Sequence, residues 1–211
     1  MKKLLLGLLL ISSVLSFGAQ RMQVEKMVMN GDLFYVQGEQ KPYSGEIEKK
    51  YPSGKTLGLA TIKAGKLEGK VYEYYENGKV KSEGNYVNGK AEGLVKSYYP
   101  NGKIRTEENY KNDERDGVAK AYDENGKLVQ QATFKNGVQV GLQKDYYEDG
   151  KLKMELNYKN GKPEGLGRSY YPNGKVFVEE NYKNGERDGI AKAFDENGKL
   201  VEEIAAISPK G

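Results

Sequence analysis

The sequence contains no cysteine, no histidine and no tryptophan. Without cysteine the chain forms no disulfide and offers no thiolate for catalysis or for zinc. Without histidine it lacks the commonest general base and the commonest metal ligand. Its 34 basic and 30 acidic residues nearly balance, whereas nucleic-acid binding needs a concentrated basic surface. These absences argue against an enzyme, a metalloprotein and a nucleic-acid-binding protein.

Long apolar runs are also absent, except near the N-terminus. A basic tip at residues 1–3 is followed by the almost wholly apolar residues 4–15 and then by small residues. This order predicts a secretory signal peptide over residues 1–19, with cleavage after Gly18 or Ala19. The apolar run is too short for a comfortable membrane span, and no cysteine follows it to carry a lipid anchor. We therefore expect an exported protein of the periplasm, the cell surface or the medium.

Most of the chain repeats with a period of 24 residues. The first mark of the period is a set of periodic glycines, Gly45, Gly69, Gly93, Gly117, Gly141, Gly165 and Gly189. The second is a set of first turns, Ser53-Gly54, Asn77-Gly78, Asn101-Gly102, Asn125-Gly126, Asp149-Gly150, Asn173-Gly174 and Asn197-Gly198. The third is a set of second turns, Asn88-Gly89, Asn112-Asp113, Asn136-Gly137, Asn160-Gly161 and Asn184-Gly185. A fixed period of this length indicates a repeat array, whose function usually lies in an extended surface.

Each repeat is predicted to contain two β-strands. Residues 71–75 and 80–86 are rich in strand formers, and the Asn-Gly pairs favour type I′ hairpin turns, which need positive φ at both residues. The segments between turns alternate in length, as residues 79–87 and 90–100 show. Because unequal strands would stagger the sheet, we assign the excess to a bulge at the periodic glycine, here Gly93.

Counting back from a two-residue first turn predicts which residues face each other. Tyr72 is expected opposite Glu83, and Tyr75 opposite Val80. The same count predicts opposite charges across later hairpins, in the pairs Lys96–Glu107, Lys144–Glu155, Arg168–Glu179 and Lys192–Glu203. Two ladders are expected on the other face, one of Tyr75, Tyr99, Tyr147 and Tyr171 with Val80, Ile104, Leu152 and Val176, and one of Tyr86, Tyr110, Phe134, Tyr158 and Tyr182.

The unit that runs Tyr-Tyr-Glu-Asn-Gly-Lys from Tyr74, then Glu-Gly-Asn-Tyr from Glu83 and Asn-Gly-Lys from Asn88, resembles the MORN repeat, and more closely its bacterial variant. The resemblance implies an elongated antiparallel β array that acts in protein contacts, in scaffolding or in binding anionic lipid. Some bacterial relatives carry an antitoxin label, which fits poorly with a signal peptide. The chain departs from the eukaryotic pattern in lacking tryptophan and in doubling its Asn-Gly turns.

The fold expected is therefore all-β, an elongated single-layer antiparallel β-meander of tandem 24-residue hairpin repeats. Seven repeats are expected over residues 45–207. The divergent residues 20–44 are expected to form a capping hairpin that covers the first repeat. Residues 208–211 remain as a tail.

The sequence offers two candidate surfaces and no catalytic constellation. One is a tyrosine column on the charged face, a candidate protein-binding surface, made of Tyr74, Tyr98, Tyr122, Tyr146 and Tyr170. The other is a rim of turn lysines that could bind phosphates or acidic glycans, made of Lys79, Lys103, Lys127, Lys151, Lys175 and Lys199. We expect an exported, non-enzymatic scaffold that binds a protein of the cell envelope, with anionic lipid or envelope polysaccharide as the alternative ligand. Neither a metal site, a cofactor nor a nucleic-acid partner is expected.

Overall fold

The computed structural model describes residues 21–205, most of which lie in β-strands joined by tight turns. The chain divides into two compact units, with the boundary between Glu114 and Arg115. Residues 21–205 contain no α-helix, and one short 3₁₀ turn covers Val24–Lys26. The predicted signal peptide and the predicted C-terminal tail lie outside the described residues.

The first unit is built from hairpins in chain order. Its strands are β1 (Met22–Gln23), β2 (Met27–Asn30), β3 (Leu33–Val36), β4 (Gly45–Lys50), β5 (Thr56–Lys63), β6 (Lys66–Leu67), β7 (Gly69–Tyr74), β8 (Val80–Val87), β9 (Lys90–Ala91), β10 (Gly93–Tyr98) and β11 (Ile104–Lys111). From β4 to β11 every pairing is antiparallel: each long strand pairs with the next long strand, and the two-residue strands β6 and β9 pair with β5 and β8. Strand β1 runs parallel to β4, and β2 and β3 form a separate hairpin.

The second unit repeats the same pattern. Its strands are β12 (Glu114–Tyr122), β13 (Leu128–Lys135), β14 (Val138–Tyr146), β15 (Leu152–Lys159), β16 (Lys162–Pro163), β17 (Gly165–Tyr170), β18 (Val176–Lys183), β19 (Glu186–Arg187), β20 (Ile190–Phe194) and β21 (Leu200–Ala205). Each long strand pairs antiparallel with the next long strand along the chain, and the two-residue strands β16 and β19 pair with β15 and β18. The succession of hairpins in both units confirms the predicted all-β meander of hairpin repeats.

The two Asn-Gly turns of a repeat differ in conformation. In the second turn, Asn88 and Gly89 both have positive φ, 51° and 82°, as a type I′ turn requires. In the first turn only Gly78 has positive φ, at 83°, and its N–H donates to Tyr75 O at 2.8 Å. This is a type I turn closed by a glycine bulge, so the type I′ prediction is wrong for the first turns. The Asn77 side chain favours this form, because its Oδ1 accepts the Lys79 N–H at 3.0 Å.

The wider first turn changes the register at its end of the hairpin. Tyr72 faces Glu83 as predicted, but the register shifts before Tyr74, which faces Val80. The predicted pair of Tyr75 with Val80 is therefore wrong, and Tyr75 belongs to the loop. Likewise Ile104, Leu152 and Val176 face Tyr98, Tyr146 and Tyr170, so these aliphatic residues lie on the opposite side of the sheet from the one expected.

The periodic glycine absorbs the difference in strand length, as predicted. Tyr158 pairs with Pro163, so a uniform ladder would place Glu155 opposite Leu166. Glu155 instead faces Arg168, two residues further along. The step occurs around Gly165, whose φ is 82°. Because the same step recurs within each unit, equivalent residues of successive repeats in that unit stay in line.

The core is thin and is largest in the first unit. Six buried side chains form it there, namely Ile47, Leu59, Ala60, Ile62, Leu67 and Val71, with Met22, Met27 and Phe34 of the N-terminal segment packed against them. In the second unit the buried apolar side chains are Ala132, Phe134 and Leu156. Phe134 also lies under the Arg115 guanidinium, whose carbon is 3.9 Å from the ring centroid. Stability must therefore come from many small contacts between neighbouring strands.

Replacing Gly165 with alanine is expected to destabilise the second unit through the backbone alone. A Cβ at Gly165 would meet nothing within 4 Å, but the residue holds φ at 82°. Alanine in that region costs about 1 kcal/mol. Gly165→Asn should cost less, because asparagine tolerates left-handed backbone. Urea unfolding of the two variants gives the comparison, and equal free energies of unfolding would contradict this account.

A second prediction concerns how Gly167 and Leu156 share space between adjacent strands. A Cβ on Gly167 would lie 2.8 Å from Leu156 Cδ1, so Gly167→Ala should destabilise the fold by roughly 1–3 kcal/mol through overpacking. Leu156→Ala should also destabilise it, by emptying a buried position. The double variant should be more stable than the sum of the two losses predicts, because the smaller side chain makes room for the new methyl. Strict additivity in urea unfolding would show that the two residues do not share this space.

Candidate functional site

Each of the five predicted tyrosines is the last residue of the first long strand of a hairpin, and within each unit these tyrosines lie on the same face of the sheet. Tyr74, Tyr98, Tyr122, Tyr146 and Tyr170 are the last residues of β7, β10, β12, β14 and β17, and each is half-buried. Each faces an aliphatic residue of the next strand, in order Val80, Ile104, Leu128, Leu152 and Val176. We call these residues the aromatic row, and the side of the sheet that carries them the front face.

Hydrogen bonds to carboxylates orient two of these tyrosines. The Tyr98 hydroxyl donates to Glu83 Oε1 at 2.5 Å, and the Tyr170 hydroxyl donates to Glu155 Oε1 at 2.6 Å. Burial and the negative charge and hydrogen bond of Glu155 together raise the pKa of Tyr170 to about 12. The pKa of Tyr98 is raised for the same reasons. The rings are thus held in place while part of each surface stays open, which suits a contact site better than a mobile side chain would.

A row of charges runs beside the aromatic row on the front face. The predicted pairs across the hairpins are confirmed, since Lys96, Lys144, Arg168 and Lys192 face Glu107, Glu155, Glu179 and Glu203. The Arg168 Nε lies 2.7 Å from Glu179 Oε1, and its Nη1 lies 4.0 Å from Glu155 Oε1. In the second unit this charge row is continuous, because each member is the register partner of the next, from Lys120 through Gln131, Lys144, Glu155, Arg168, Glu179 and Lys192 to Glu203.

The front face carries a third row that sequence reasoning missed. An aliphatic side chain follows each of five periodic glycines and remains 37–51% exposed. These residues are Leu94, Val118, Leu142, Leu166 and Ile190. The sequence contains a signal for this row, because an aliphatic residue directly follows each of these five glycines. Exposed apolar side chains repeated in register are typical of a binding surface.

The lysine rim lies in the first turns, and several of its ammonium groups are already engaged. Lys79 Nζ donates to Asn101 O at 2.8 Å, in the next repeat. Lys151 Nζ donates to Pro172 O at 2.6 Å, and Lys175 Nζ donates to Asn197 O at 2.8 Å. Lys103, Lys127 and Lys199 occupy the same position in their turns and are exposed. The structure thus gives part of this rim a role in joining one turn to the next.

Two other periodic sets make the same kind of bond between repeats. The hydroxyls of Tyr51, Tyr75, Tyr147 and Tyr171 donate to the backbone carbonyls of Tyr74, Tyr98, Tyr170 and Phe194, the residues 23 positions later. The acids before the periodic glycines accept N–H groups of the second turns, in the pairs Glu68–Asn88, Glu92–Asn112, Asp116–Asn136 and Glu164–Asn184. These residues have a structural function, and no cluster of acids among residues 21–205 could hold a metal ion.

Comparisons with known proteins place the repeat in a family. The profile described as "MORN repeat variant" matches residues 67–88, 91–112, 115–136, 139–160, 163–184 and 187–204. No curated protein matches the chain. Among residues 21–205 there is no helix long and apolar enough to cross a membrane.

Solved structures give only a distant likeness. The crystal structure of TarM is similar over 55% of this chain and 20% of that one, with 13% identity and a TM-score of 0.27. A mutant of S. aureus TarM in complex with fondaparinux, α-GlcNAc-glycerol and UDP is similar over 54% of this chain and 20% of that one, with 12% identity and a TM-score of 0.25.

The raised pKa of Tyr170 predicts how stability depends on pH. In the unfolded chain tyrosine ionises near pH 10, whereas Tyr170 in the fold keeps its proton to about pH 12. Its contribution to stability is therefore present below pH 10 and is lost as the pH rises from about 10 to 12. Tyr170→Phe should reduce that loss, and Glu155→Gln should lower the pKa of Tyr170, as measured by the ultraviolet absorbance of tyrosinate. An unchanged titration in Glu155→Gln would show that the carboxylate does not control this hydroxyl.

Proposed function

The chain belongs to the MORN repeat variant family, and from this membership and the geometry of the front face we propose that it is an exported, non-enzymatic scaffold that binds a protein of the cell envelope. Repeats of this family are generally protein- or lipid-binding motifs. The observation that carries the choice of protein is the front face itself. There, half-open tyrosines, exposed aliphatic residues and paired charges recur together in both units.

The composition of this face supports a protein partner. Tyrosine and arginine are enriched where proteins bind each other, and apolar residues ringed by polar ones are typical of such contacts. Along β14 and β17, a charged residue lies between an exposed leucine and the tyrosine that ends the strand, Tyr146 or Tyr170. Because the charges largely neutralise one another, an anion gains little at this face.

Export is part of the proposal and rests on the sequence. The basic tip and apolar run of residues 1–19 are those of a signal peptide. Intact mass measured on protein secreted from a bacterial host should correspond to a chain that begins at Ala19 or Gln20. A product that retains residues 1–19 and stays in the cytoplasm would contradict this part.

The alternative is binding of anionic lipid or envelope polysaccharide through the lysine rim. The exposed positions of Lys127 and Lys199 favour it, while the bonds of Lys79, Lys151 and Lys175 to backbone carbonyls weigh against it. The two ligands differ in their response to salt. Exposed charges are screened within about 8 Å at 0.15 M and about 4–5 Å at 0.5 M salt, and apolar contacts are much less affected.

A capture experiment with matched variants separates the two. The mature chain, residues 20–211, is used to retain partners from detergent-solubilised envelope, washed at about 0.15 M and then about 0.5 M salt. A discrete protein that survives the second wash, and that is lost with Tyr146→Ser/Tyr170→Ser but kept with Lys127→Ser/Lys199→Ser, supports the proposal. Circular dichroism of both variants checks that they fold. Lipid or glycan released by salt, and lost with the lysine variant, would move the function to the rim.

A further inference from the structure

The charge row of the second unit is complementary to itself when reversed. Its eight members stand on eight neighbouring strands and read positive, neutral, positive, negative, positive, negative, positive, negative from Lys120 to Glu203. The two central members, Glu155 and Arg168, have opposite charges. The next pair outward, Lys144 and Glu179, also has opposite charges. The outermost pair, Lys120 and Glu203, does so as well.

We propose that the front face of the second unit binds the same face of a second copy of this chain, reversed end to end about a two-fold axis. This rests on the proposed function, since it names a partner for the same face. With the axis between β15 and β17, every charged member except Lys192 lies over the opposite charge of the other copy. Gln131 lies over Lys192, and it is the one neutral member of the row. A copy stacked without end-to-end reversal would place like charges over each other, which is unfavourable.

The apolar rows obey the same symmetry. Rotation about an axis parallel to the strands keeps each row over its own counterpart, so Leu142 and Leu166, at 41% and 37% exposure, lie over Asn181 and Asn157 of the other copy, and each is one strand away from Leu166 of that copy. In the aromatic row, Tyr146 lies over Val176 and Tyr170 lies over Leu152 of the other copy. A partner needs the same spacing between strands to match every row at once, and a second copy of the chain has that spacing by construction.

The area is sufficient for a stable pair. Eight strands at about 4.8 Å and about five residues along each strand give roughly 650 Å² a copy, or about 1,300 Å² in total. Specific interfaces begin at about 1,200 Å². Stacked sheets in proteins pack about 10 Å apart, with their side chains interleaved, which suits rows of leucine and tyrosine.

Sedimentation equilibrium of the mature chain, residues 20–211, at concentrations up to about 100 µM tests the pairing. The wild-type chain should be a dimer. Leu142→Lys/Leu166→Lys should raise the dissociation constant about 100-fold or more, because the symmetry counts each substitution twice and the new charges are buried without partners. Phe177→Lys is the matched control. Phe177 is 44% exposed and lies outside the three rows. Lysine already occupies the equivalent position of the preceding repeat, Lys153, so the dimer should persist in this variant.

Substitutions of the neutral Gln131 are expected to change the dissociation constant of the dimer in both directions. Gln131→Glu should tighten the dimer about five-fold, by facing Lys192 of the second copy, and Gln131→Lys should loosen it by a similar factor. Equal dissociation constants for the two variants would overturn the reversed arrangement, as would a dimer that survives Leu142→Lys/Leu166→Lys. A chain that stays monomeric but retains an envelope protein through Tyr146 and Tyr170 would overturn the self-pairing and leave the proposed function standing. A monomer that retains no protein would overturn both.

Discussion

The step in register at each periodic glycine is the constraint on which the rest of the structure depends. The two strands of a repeat differ in length, so a plain ladder would slide each repeat along its neighbour. At Gly165 the chain takes up two residues between Tyr158–Pro163 and Glu155–Arg168, and the left-handed backbone that allows this is natural for glycine. Because the offset in register is cancelled at each of these glycines, equivalent tyrosines of successive repeats line up within a unit, and so do equivalent charged residues. The rows on the front face exist for this reason.

Much of this architecture could be predicted from particular residues, and each incorrect prediction can be traced to a particular turn. Asn88-Gly89 forms the predicted type I′ turn, and the bulge is at the predicted glycine. The same dipeptide at Asn77-Gly78 folds differently, because its side chain bonds the Lys79 N–H and the loop widens. Counting residues from a two-residue turn pairs Val80 with Tyr75, whereas in the structure Val80 faces Tyr74. Sequence pattern identifies a turn more reliably than it identifies the type of turn, on which the register depends.

The candidate surfaces could be predicted less well than the fold. Tyr170 and Arg168 were correctly placed on one face by alternation alone. Whether Lys79 reaches Asn101 O depends on the distance between repeats, which the pattern of one repeat does not contain. Leu142 and Leu166 follow periodic glycines in the sequence and are exposed in the structure. The alternation of residues along a strand assigns them to a face, but it does not predict how much of each side chain the neighbouring strands cover. Periodic residues thus divide into those that join repeats and those that face outward, and only the contacts between repeats separate the two sets.

The hydrogen bonds of the turns also bear on how the protein ages. Asn-Gly pairs are prone to lose ammonia, because the glycine nitrogen attacks the asparagine side chain to form a cyclic imide. Here that nitrogen is occupied, since Gly78 N–H donates to Tyr75 O and Gly89 N–H donates to Leu67 O, each at 2.8 Å. Equivalent bonds hold the glycines of the later turns, Gly102, Gly126, Gly137, Gly161, Gly174, Gly185 and Gly198. The fold therefore protects these nine Asn-Gly pairs from deamidation for as long as the repeats stay folded.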